Sequence, residues 1–176
     1  MVSIGPYTQS YDMKHMYDFP DRRKNDAIKK CSYPADSLMG IINSTSDFSI
    51  FSDIVKKARY DNKLSDILSD YTVFVPSNFH LKNKHTLDYL NNIDESLARE
   101  IVNFSMMQRK IDQQVLQSSP SSTFPTIDRS RIRFNTCNNV TILQNHIKII
   151  HWNYQASNGL IHVIDGLLIP DNIYIR

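Results

Sequence analysis

The stretch after residue 157 constrains the fold of this chain most, because it joins a tight-turn signal directly to a strand. Asn158-Gly159 is a pair that two-residue hairpin turns favour, since both residues tolerate a positive φ. Residues 160–165, Leu-Ile-His-Val-Ile-Asp, are rich in the β-branched side chains typical of strands. Pro170 closes the following apolar run and cannot extend a hydrogen-bond ladder. The sequence therefore predicts a turn at 158–159 and a strand over 160–169.

The chain changes character near residue 35. Residues 1–35 are polar, are interrupted by Pro6, Pro20 and Pro34, and lack a sustained apolar period. They predict an N-terminal arm with a short helix over 22–30. From residue 36 apolar residues recur at helical spacing. The predicted helices cover residues 38–42, 48–58 after a Ser46/Asp47 cap, a further turn or two at 64–68, 87–90 and 97–104.

The second half alternates with the period of a strand. A buried strand is predicted at 71–75, and short strands separated by polar turns are predicted near 123–127, 130–135, 139–143, 146–151 and 160–169. Helices followed by strands favour an α+β domain with a largely antiparallel sheet. The domain is predicted to span residues 36–170, with a tail at 171–176.

A second motif lies about eighty residues before the first, Thr72-Val73-Phe74-Val75-Pro76-Ser77-Asn78. The two motifs, in this order and at this separation, resemble the two signatures of the fasciclin domain. The resemblance implies a helical bundle packed against a β-wedge, an interaction role without reaction chemistry, and no cofactor. Phe104-Ser105 stands where the family often has Tyr-His, and Asn153 stands where an aspartate is common. Integrin-type adhesion is usually assigned to those two places, so the departures weaken that specific expectation.

The chemistry of each signature residue predicts a structural role for it. Phe74 is predicted to fill the core, and Pro76 to end its strand, with Ser77 or Asn78 capping the next turn. His162 alternates with apolar neighbours and is predicted to be a hydrogen-bonded residue of one sheet face. Asp165 is predicted to bond local backbone. The structural set is thus Phe74, Pro76, Asn78, Asn158, Gly159, His162 and Asp165.

Composition excludes several classes of function. The net charge of +2 is too small to demand nucleic acid or an anionic membrane, and no apolar run is long enough to span a bilayer. The start of the chain shows no basic segment followed by an apolar core, so no secretory signal is predicted. Cys31 and Cys137 do not form a disulfide framework, and reduced thiols are the preferred interpretation over one bridge.

No enzyme motif is present. The pairs His80/His85 and His146/His151 have a spacing that puts strand residues on opposite faces, so neither predicts a metal clamp. The chain has no glycine-rich phosphate loop and no nucleophile elbow. We predict no catalytic residue, no metal and no cofactor.

Three arginines mark a candidate partner surface. Arg129, Arg131 and Arg133 lie two apart, and the pattern predicts that all three project from one face of a strand. Such a stripe either stays solvated and protects an edge or grips the carboxylates of a partner protein. The arm supplies further candidate contacts, namely Tyr7, Tyr11, Met16 and Tyr17. Its basic residues 22–30 alternate with aspartates, which argues against nucleic-acid binding.

Three functions agree with these observations. The first is a non-catalytic building block of a large assembly, such as a minor capsid protein of a large DNA virus. An amino-acid bias typical of AT-rich genomes, with few glycines and many Asn, Ile, Lys and Ser residues, and the lack of a visible signal favour it, and they predict a cytoplasm-made protein incorporated into a virion. The second is an extracellular adhesion protein of the fasciclin type. The third is a small-ligand or lipid-binding module with a cleft between helices and sheet.

Overall fold

The computed structural model describes residues 33–171 of the 176-residue chain. The predicted helix over 22–30, the arm contacts Tyr7, Tyr11, Met16 and Tyr17, and the predicted tail after Asp171 lie outside the described residues.

The first half of the described part is mainly helical. The helices are α1 (Leu38–Ser44), α2 (Ser49–Lys57), α3 (Asp61–Ser65), α4 (Asn78–Leu81), α5 (Lys84–Asn92), α6 (Glu95–Phe104) and α7 (Gln113–Gln117).

Within residues 33–171, the strands form one seven-stranded sheet with the order β2-β1-β7-β6-β5-β4-β3. Their bounds are β1 (Tyr71–Pro76), β2 (Met106–Met107), β3 (Ser121–Pro125), β4 (Arg131–Cys137), β5 (Val140–Leu143), β6 (Ile147–Ala156) and β7 (Gly159–Ile164). Strands β1 and β7 pair in parallel, and all other neighbours are antiparallel. The predicted α+β class with a largely antiparallel sheet is confirmed.

The parallel pair β1–β7 lies at the centre of the domain, and every residue of both strands is buried. Because side chains alternate across a strand, each strand feeds two cores. Val73 and Ile161 pack with the helices, whereas Phe74 and Ile164 pack with the residues of β4 and β5. The two signatures thus become adjacent strands between two apolar layers.

Short polar residues fix several helix starts. The Ser37 hydroxyl accepts from the Gly40 N–H at the start of α1, and the Asp94 carboxylate accepts from the Leu97 N–H at the start of α6. The predicted cap of α2 was wrong. A single 3₁₀ turn, Ser46–Phe48, precedes α2, and Phe48 occupies its N-cap without a side-chain bond. The Asp47 carboxylate instead accepts from the Ser77 hydroxyl at 2.6 Å, because α4 begins beside it.

The predicted helical turn through residues 64–68 was also wrong in its second half. Helix α3 ends at Ser65, and Leu64 is its one buried residue. Ile67 is 59 % exposed and Leu68 is 92 % exposed. The Asp66 carboxylate explains the break, because it accepts from the Leu68 N–H at 3.0 Å and so closes a local turn that competes with the helix. The same bond and the Ser69 hydroxyl lower the pKa of Asp66.

The turn between β6 and β7 lies one residue earlier than predicted. Ala156 pairs with Gly159, so Ser157 and Asn158 form the turn, and Gly159 is already the first residue of β7. Asn158 keeps a negative φ, in contrast to the predicted positive pair. The last strand ends at Ile164 rather than 169, and the segment up to Pro170 is irregular although Leu168 is buried.

No helix among residues 33–171 combines the length and the apolar character that crossing a bilayer requires.

The position of Phe74 yields the first prediction. Its ring is fully buried and lies 5.6 Å from the ring of Phe134, centroid to centroid. Phe74→Ala is expected to lower the free energy of unfolding by about 3–5 kcal/mol, because it removes a large side chain and leaves a cavity. Chemical denaturation monitored by circular dichroism measures this loss.

The matched control is Phe79→Ala, since Phe79 is 68 % exposed on α4. It is expected to change stability by no more than about 0.5 kcal/mol. Equal effects of the two substitutions would contradict the assignment of Phe74 to the core.

Candidate interaction surface

The polar residues of the first signature tie α4 to the start of α2. The Ser77 hydroxyl accepts from the Phe79 N–H and so caps α4. The Asn78 side chain accepts from the Ile50 N–H at 3.2 Å, and its amide donates to the Ser46 carbonyl at 3.0 Å and to the Ser49 hydroxyl at 2.8 Å. Ser77 therefore caps the following turn, as predicted, whereas Asn78 bonds a segment about thirty residues earlier and supplies the bond that Asp47 does not give to α2.

Asn158 joins three segments from inside the domain. Its side-chain oxygen accepts from the Leu38 N–H at 2.8 Å, and its amide donates to the carbonyls of Leu64 and Asp66, each at 2.9 Å. The neighbouring Gly159 has no room for a side chain, because an added Cβ would lie 2.1 Å from the Tyr71 carbonyl oxygen. Asn158 is thus a buried clamp between α1, α3 and β7.

His162 is the most buried titratable group of the second signature. Its Nε2 lies 2.8 Å from the Ile111 carbonyl oxygen, and its Nδ1 accepts from the Asn153 N–H at 3.1 Å. These two partners fix the neutral tautomer with the proton on Nε2. The rings of Phe74 and Trp152 lie 5.5 and 5.2 Å from the imidazole, centroid to centroid. The predicted hydrogen-bonded histidine of a sheet face is confirmed.

Burial lowers the pKa of His162 to about 4, against smaller opposing effects of the Ile111 carbonyl and the Asp112 charge. A second proton would have to sit on Nδ1, where it would point at the Asn153 N–H. The imidazole is therefore held neutral and sealed by aromatic rings. The ring has a structural role, because it is fully buried and both of its nitrogens are hydrogen-bonded within the domain.

Asp165 bonds backbone as predicted, but not backbone near it in the sequence. Its carboxylate accepts from the Lys148 N–H at 2.7 Å, and its own N–H donates to the Lys148 carbonyl at 3.0 Å. The residue therefore extends the pairing of β6 with the segment after β7.

Of the two places aligned with adhesion motifs, Phe104-Ser105 is buried, whereas Asn153 is partly exposed and bonded to neighbouring elements. Ser105 is fully buried, and its carbonyl accepts from the Phe74 N–H at 2.9 Å. Asn153 lies in an irregular part of β6 with a φ of 56°, and its side chain accepts from the Gln113 N–H at 3.0 Å. Asn153 thus connects His162 to α7, and the local sequence pattern does not predict this contact.

The arginine stripe exists in part. Arg131 and Arg133 are exposed on β4, and the alternating Ile132 and Phe134 are fully buried. Arg129 was wrongly placed in the strand. It lies in the turn before β4 with a φ of 70°, where the Asp128 carboxylate accepts from the Ser130 N–H at 3.1 Å.

Lys148 extends this basic face across the sheet. Asn135 lies on the same face as the two arginines of β4, and the pairing continues from Asn135 to Ile142 and from Ile142 to Lys148. The ion pairs of residues 33–171 join Glu95 to Arg59 and Arg99, and Lys110 to Asp70. Within that range, Arg131 and Arg133 are therefore cations without a carboxylate partner. We name Arg131, Arg133 and Lys148 the basic face.

The described residues also form two depressions. A cleft of about 210 Å³ lies between α2 and α5, with Ile54 and Leu90 inside and Asp53 and Lys57 in its lining. It is smaller than the roughly 300–1,000 Å³ of typical small-ligand sites, and it lies between two helices rather than between helices and sheet as predicted. A groove of about 560 Å³ beside α7 is lined by polar residues, among them Asp112, Gln113 and Asn153.

No group of three or more potential metal ligands comes together in the described part of the chain. Cys137 is exposed at the end of β4, and Cys31 lies outside the described residues, so their pairing stays untested.

The sequence matches the family model of the fasciclin domain over residues 46–170. The chain belongs to the fasciclin domain family.

A solved structure of a FAS1 domain pair from the insect cell adhesion molecule fasciclin I has the same fold, with a TM-score of 0.66 at 22 % sequence identity. The alignment covers 78 % of this chain and 52 % of that chain, so this chain spans about half of the domain pair. No curated protein matches the sequence.

Fasciclin domains are typically interaction or adhesion modules and are generally non-enzymatic. The geometry of this fasciclin domain agrees, because the polar side chains of both signatures are used for internal hydrogen bonds. Sequence reasoning missed Asp47, Ile111 and Asn153 as partners of those side chains. The sequence held one feature that could have indicated the role of Asn153, namely that it stands where the family commonly has an aspartate.

The buried imidazole predicts an acid-sensitive stability. The pKa of His162 is about 4 in the folded chain and about 6.5 when unfolded, so the unfolded state binds the extra proton between those values. The unfolding free energy is expected to fall as the pH drops from about 6.5 to 4, by about 3 kcal/mol in total. Denaturant titrations over this pH range measure the slope.

His162→Gln removes the titration and keeps an amide that can donate to the Ile111 carbonyl. We expect the variant to be less stable at pH 7 but to lose less stability on acidification. His151, whose pKa burial also lowers, contributes equally to both proteins. An identical pH slope in both would count against this role of His162.

Proposed function

We propose that this fasciclin domain is a non-catalytic protein-binding module that uses the basic face to hold an acidic partner. The observation that carries the proposal is the exposed Arg131 and Arg133 side by side on β4 without a carboxylate partner among residues 33–171. Guanidinium groups bind carboxylates through paired, planar hydrogen bonds, which makes them suited to protein recognition.

The charge balance of the sheet supports this surface over others. The Asp165 carboxylate accepts from the Lys148 N–H and the Asp128 carboxylate accepts from the Ser130 N–H, and neither forms an ion pair with Arg131 or Arg133. The exposed Phe79 on α4 has the Lys82 ammonium 5.5 Å from its ring centroid. The basic face therefore presents cations whose neighbouring acids form no ion pair with them in residues 33–171.

The finer functions rest on weaker support. For a role as a subunit of a large assembly or virion, the amino-acid composition is the sole support. An extracellular adhesion role is favoured by the likeness to the fold of an insect cell adhesion molecule. The small cleft between α2 and α5 gives little support to a lipid-binding role. The identity of the captured partner separates the first two.

The test is affinity capture with quantitative mass spectrometry, in which the tagged chain is compared with Arg131→Glu/Arg133→Glu. The double substitution inverts the charge of the basic face, so a partner held by carboxylates is expected to be lost by about tenfold or more. Lys56→Glu/Lys84→Glu is the matched control, because it makes the same change of net charge at two exposed lysines of α2 and α5.

Equal capture by all three proteins would contradict the basic face as the contact. A chemical conversion by the chain that Asp165→Asn or His162→Gln abolishes in a still-folded protein would overturn the non-catalytic part of the proposal.

The N-terminal arm is proposed as a second contact, through Tyr7, Tyr11, Met16 and Tyr17. Tyr33 is the first residue that the structure describes, and it is anchored to α3 because its hydroxyl donates to the Asp61 carboxylate at 3.0 Å. Deletion of residues 1–32 is therefore expected to leave the thermal midpoint within about 2 °C and to reduce partner capture. A large loss of thermal stability would show instead that the arm packs on its own domain.

A further inference from the structure

Strand β3 is an end of the sheet, and its pairing shows which of its backbone groups face outward. Next to the strand, Thr136 donates to the Pro120 carbonyl and Thr126 donates to the Ser130 carbonyl, both at 2.8 Å. Bonded and non-bonded pairs alternate in an antiparallel ladder. The bonds between β3 and β4 therefore belong to the pairs Ser122–Phe134 and Phe124–Ile132.

The residues between them turn their backbone groups away from β4. These are Ser121, Thr123 and Pro125, and they expose two N–H groups and three carbonyls. An independent bond agrees, because the Arg133 carbonyl opposite Thr123 accepts from the Gln144 N–H at 3.0 Å and so faces β5. Within residues 33–171 no backbone or side-chain partner reaches these outward groups, and all three residues are exposed.

The open edge has a defined end. Ile127, two residues after Pro125, donates to the Met106 carbonyl at 3.1 Å and so fastens the chain beyond β3 to the opposite end strand of the sheet. The edge is open over the five residues Ser121–Pro125, a length of about 17 Å. Pro125, which lacks an N–H, is the one blunting residue in this strand.

Arginines surround this edge while the strand itself is uncharged. Arg131 and Arg133 lie opposite Pro125 and Thr123 on the outer face. On the other face the Arg109 guanidinium lies 5.9 Å from the centre of the Phe124 ring. Arg129 is exposed in the turn after β3. Asp128, the acid between them, is bonded to Thr126 and Ser130.

We infer that the β3 edge binds an acidic, extended segment of a partner protein, which pairs with Ser121–Pro125 as an eighth strand. The inference rests on the proposed function and adds the form and charge of the segment that is bound. The outward groups of Ser121 and Thr123 supply main-chain hydrogen bonds, and the arginines select carboxylates on the added strand.

The reach of the side chains is sufficient for this contact. An added strand lies about 4.8 Å from β3 and about 10 Å from β4, and arginine and glutamate side chains together span that second distance. Every second side chain of the added strand then lies on the sheet face of Arg131 and Arg133, and the remaining side chains lie on the opposite face with Phe124.

The probe is a fluorescein-labelled decapeptide of alternating glutamate and valine, titrated with the full chain by fluorescence anisotropy. It is expected to bind more tightly than the matching lysine–valine peptide, and its affinity should fall with added salt. Arg131→Glu/Arg133→Glu is expected to weaken binding by about tenfold or more, whereas Lys56→Glu/Lys84→Glu should not.

Thr123→Pro is the decisive variant. It removes an outward N–H that the β3–β4 ladder does not use, and it places a ring in the path of an incoming strand. The matched control, Thr123→Val, keeps the N–H and the branched shape. Binding is expected to fall about tenfold in Thr123→Pro and to stay within about twofold in Thr123→Val. Thermal melts establish that both variants are folded.

Each outcome decides the matter. Loss of binding in Thr123→Pro but not in Thr123→Val supports strand addition. Equal binding by these two variants, with sensitivity to the arginines retained, shows a charged face without strand addition and overturns the inference. No preference for the acidic peptide also overturns it. If a partner captured through the basic face is unaffected by Thr123→Pro, the proposed function stands and the inference alone fails.

Discussion

The parallel pairing of β1 with β7 is the contact on which the rest of the domain depends. Thr72 lies beside Leu160 and Pro76 beside Ile164, so two motifs far apart in the sequence share one hydrogen-bond ladder. Parallel strands are found almost only where both faces are covered. This pair therefore needs helices on one side and the antiparallel strands on the other, and the remaining elements supply those two layers.

The order of the elements was predictable from periodicity, because burial dictates which positions are apolar. Helices α1, α2, α5 and α6 and strand β1 agree with the predicted segments, since each presents a regular apolar face. The failures lie where a local polar bond outweighs the apolar pattern. Asp66 turns the chain before Ile67 and Leu68 can continue a helix, and Asp128 turns it before Arg129 can join β4.

The candidate surface was predictable only in part, for a related reason. Alternation along β4 placed Arg131 and Arg133 outside and Ile132 and Phe134 inside, and this arrangement can be read from the sequence alone. The partners of His162 cannot. Ile111 is 51 positions away from it, and the Asn153 N–H reaches Nδ1 only because β6 is irregular there. A pattern can indicate that a polar residue is buried, but the topology decides what satisfies it.

The place of β7 in the sheet also has a consequence in time. The strand lies between β1 and β6 although it is the last strand of the sheet in chain order, so β1 has no lateral neighbour on that side until residue 164 has been synthesised. Every residue of β1 is buried in the finished fold. Until β7 has been synthesised, such a strand is exposed and prone to pair with the wrong partner. Pairings between distant strands form slowly as well. We therefore expect the yield of the folded chain to depend on how long Tyr71–Pro76 stays unpaired during synthesis, and not on the stability of the finished domain alone.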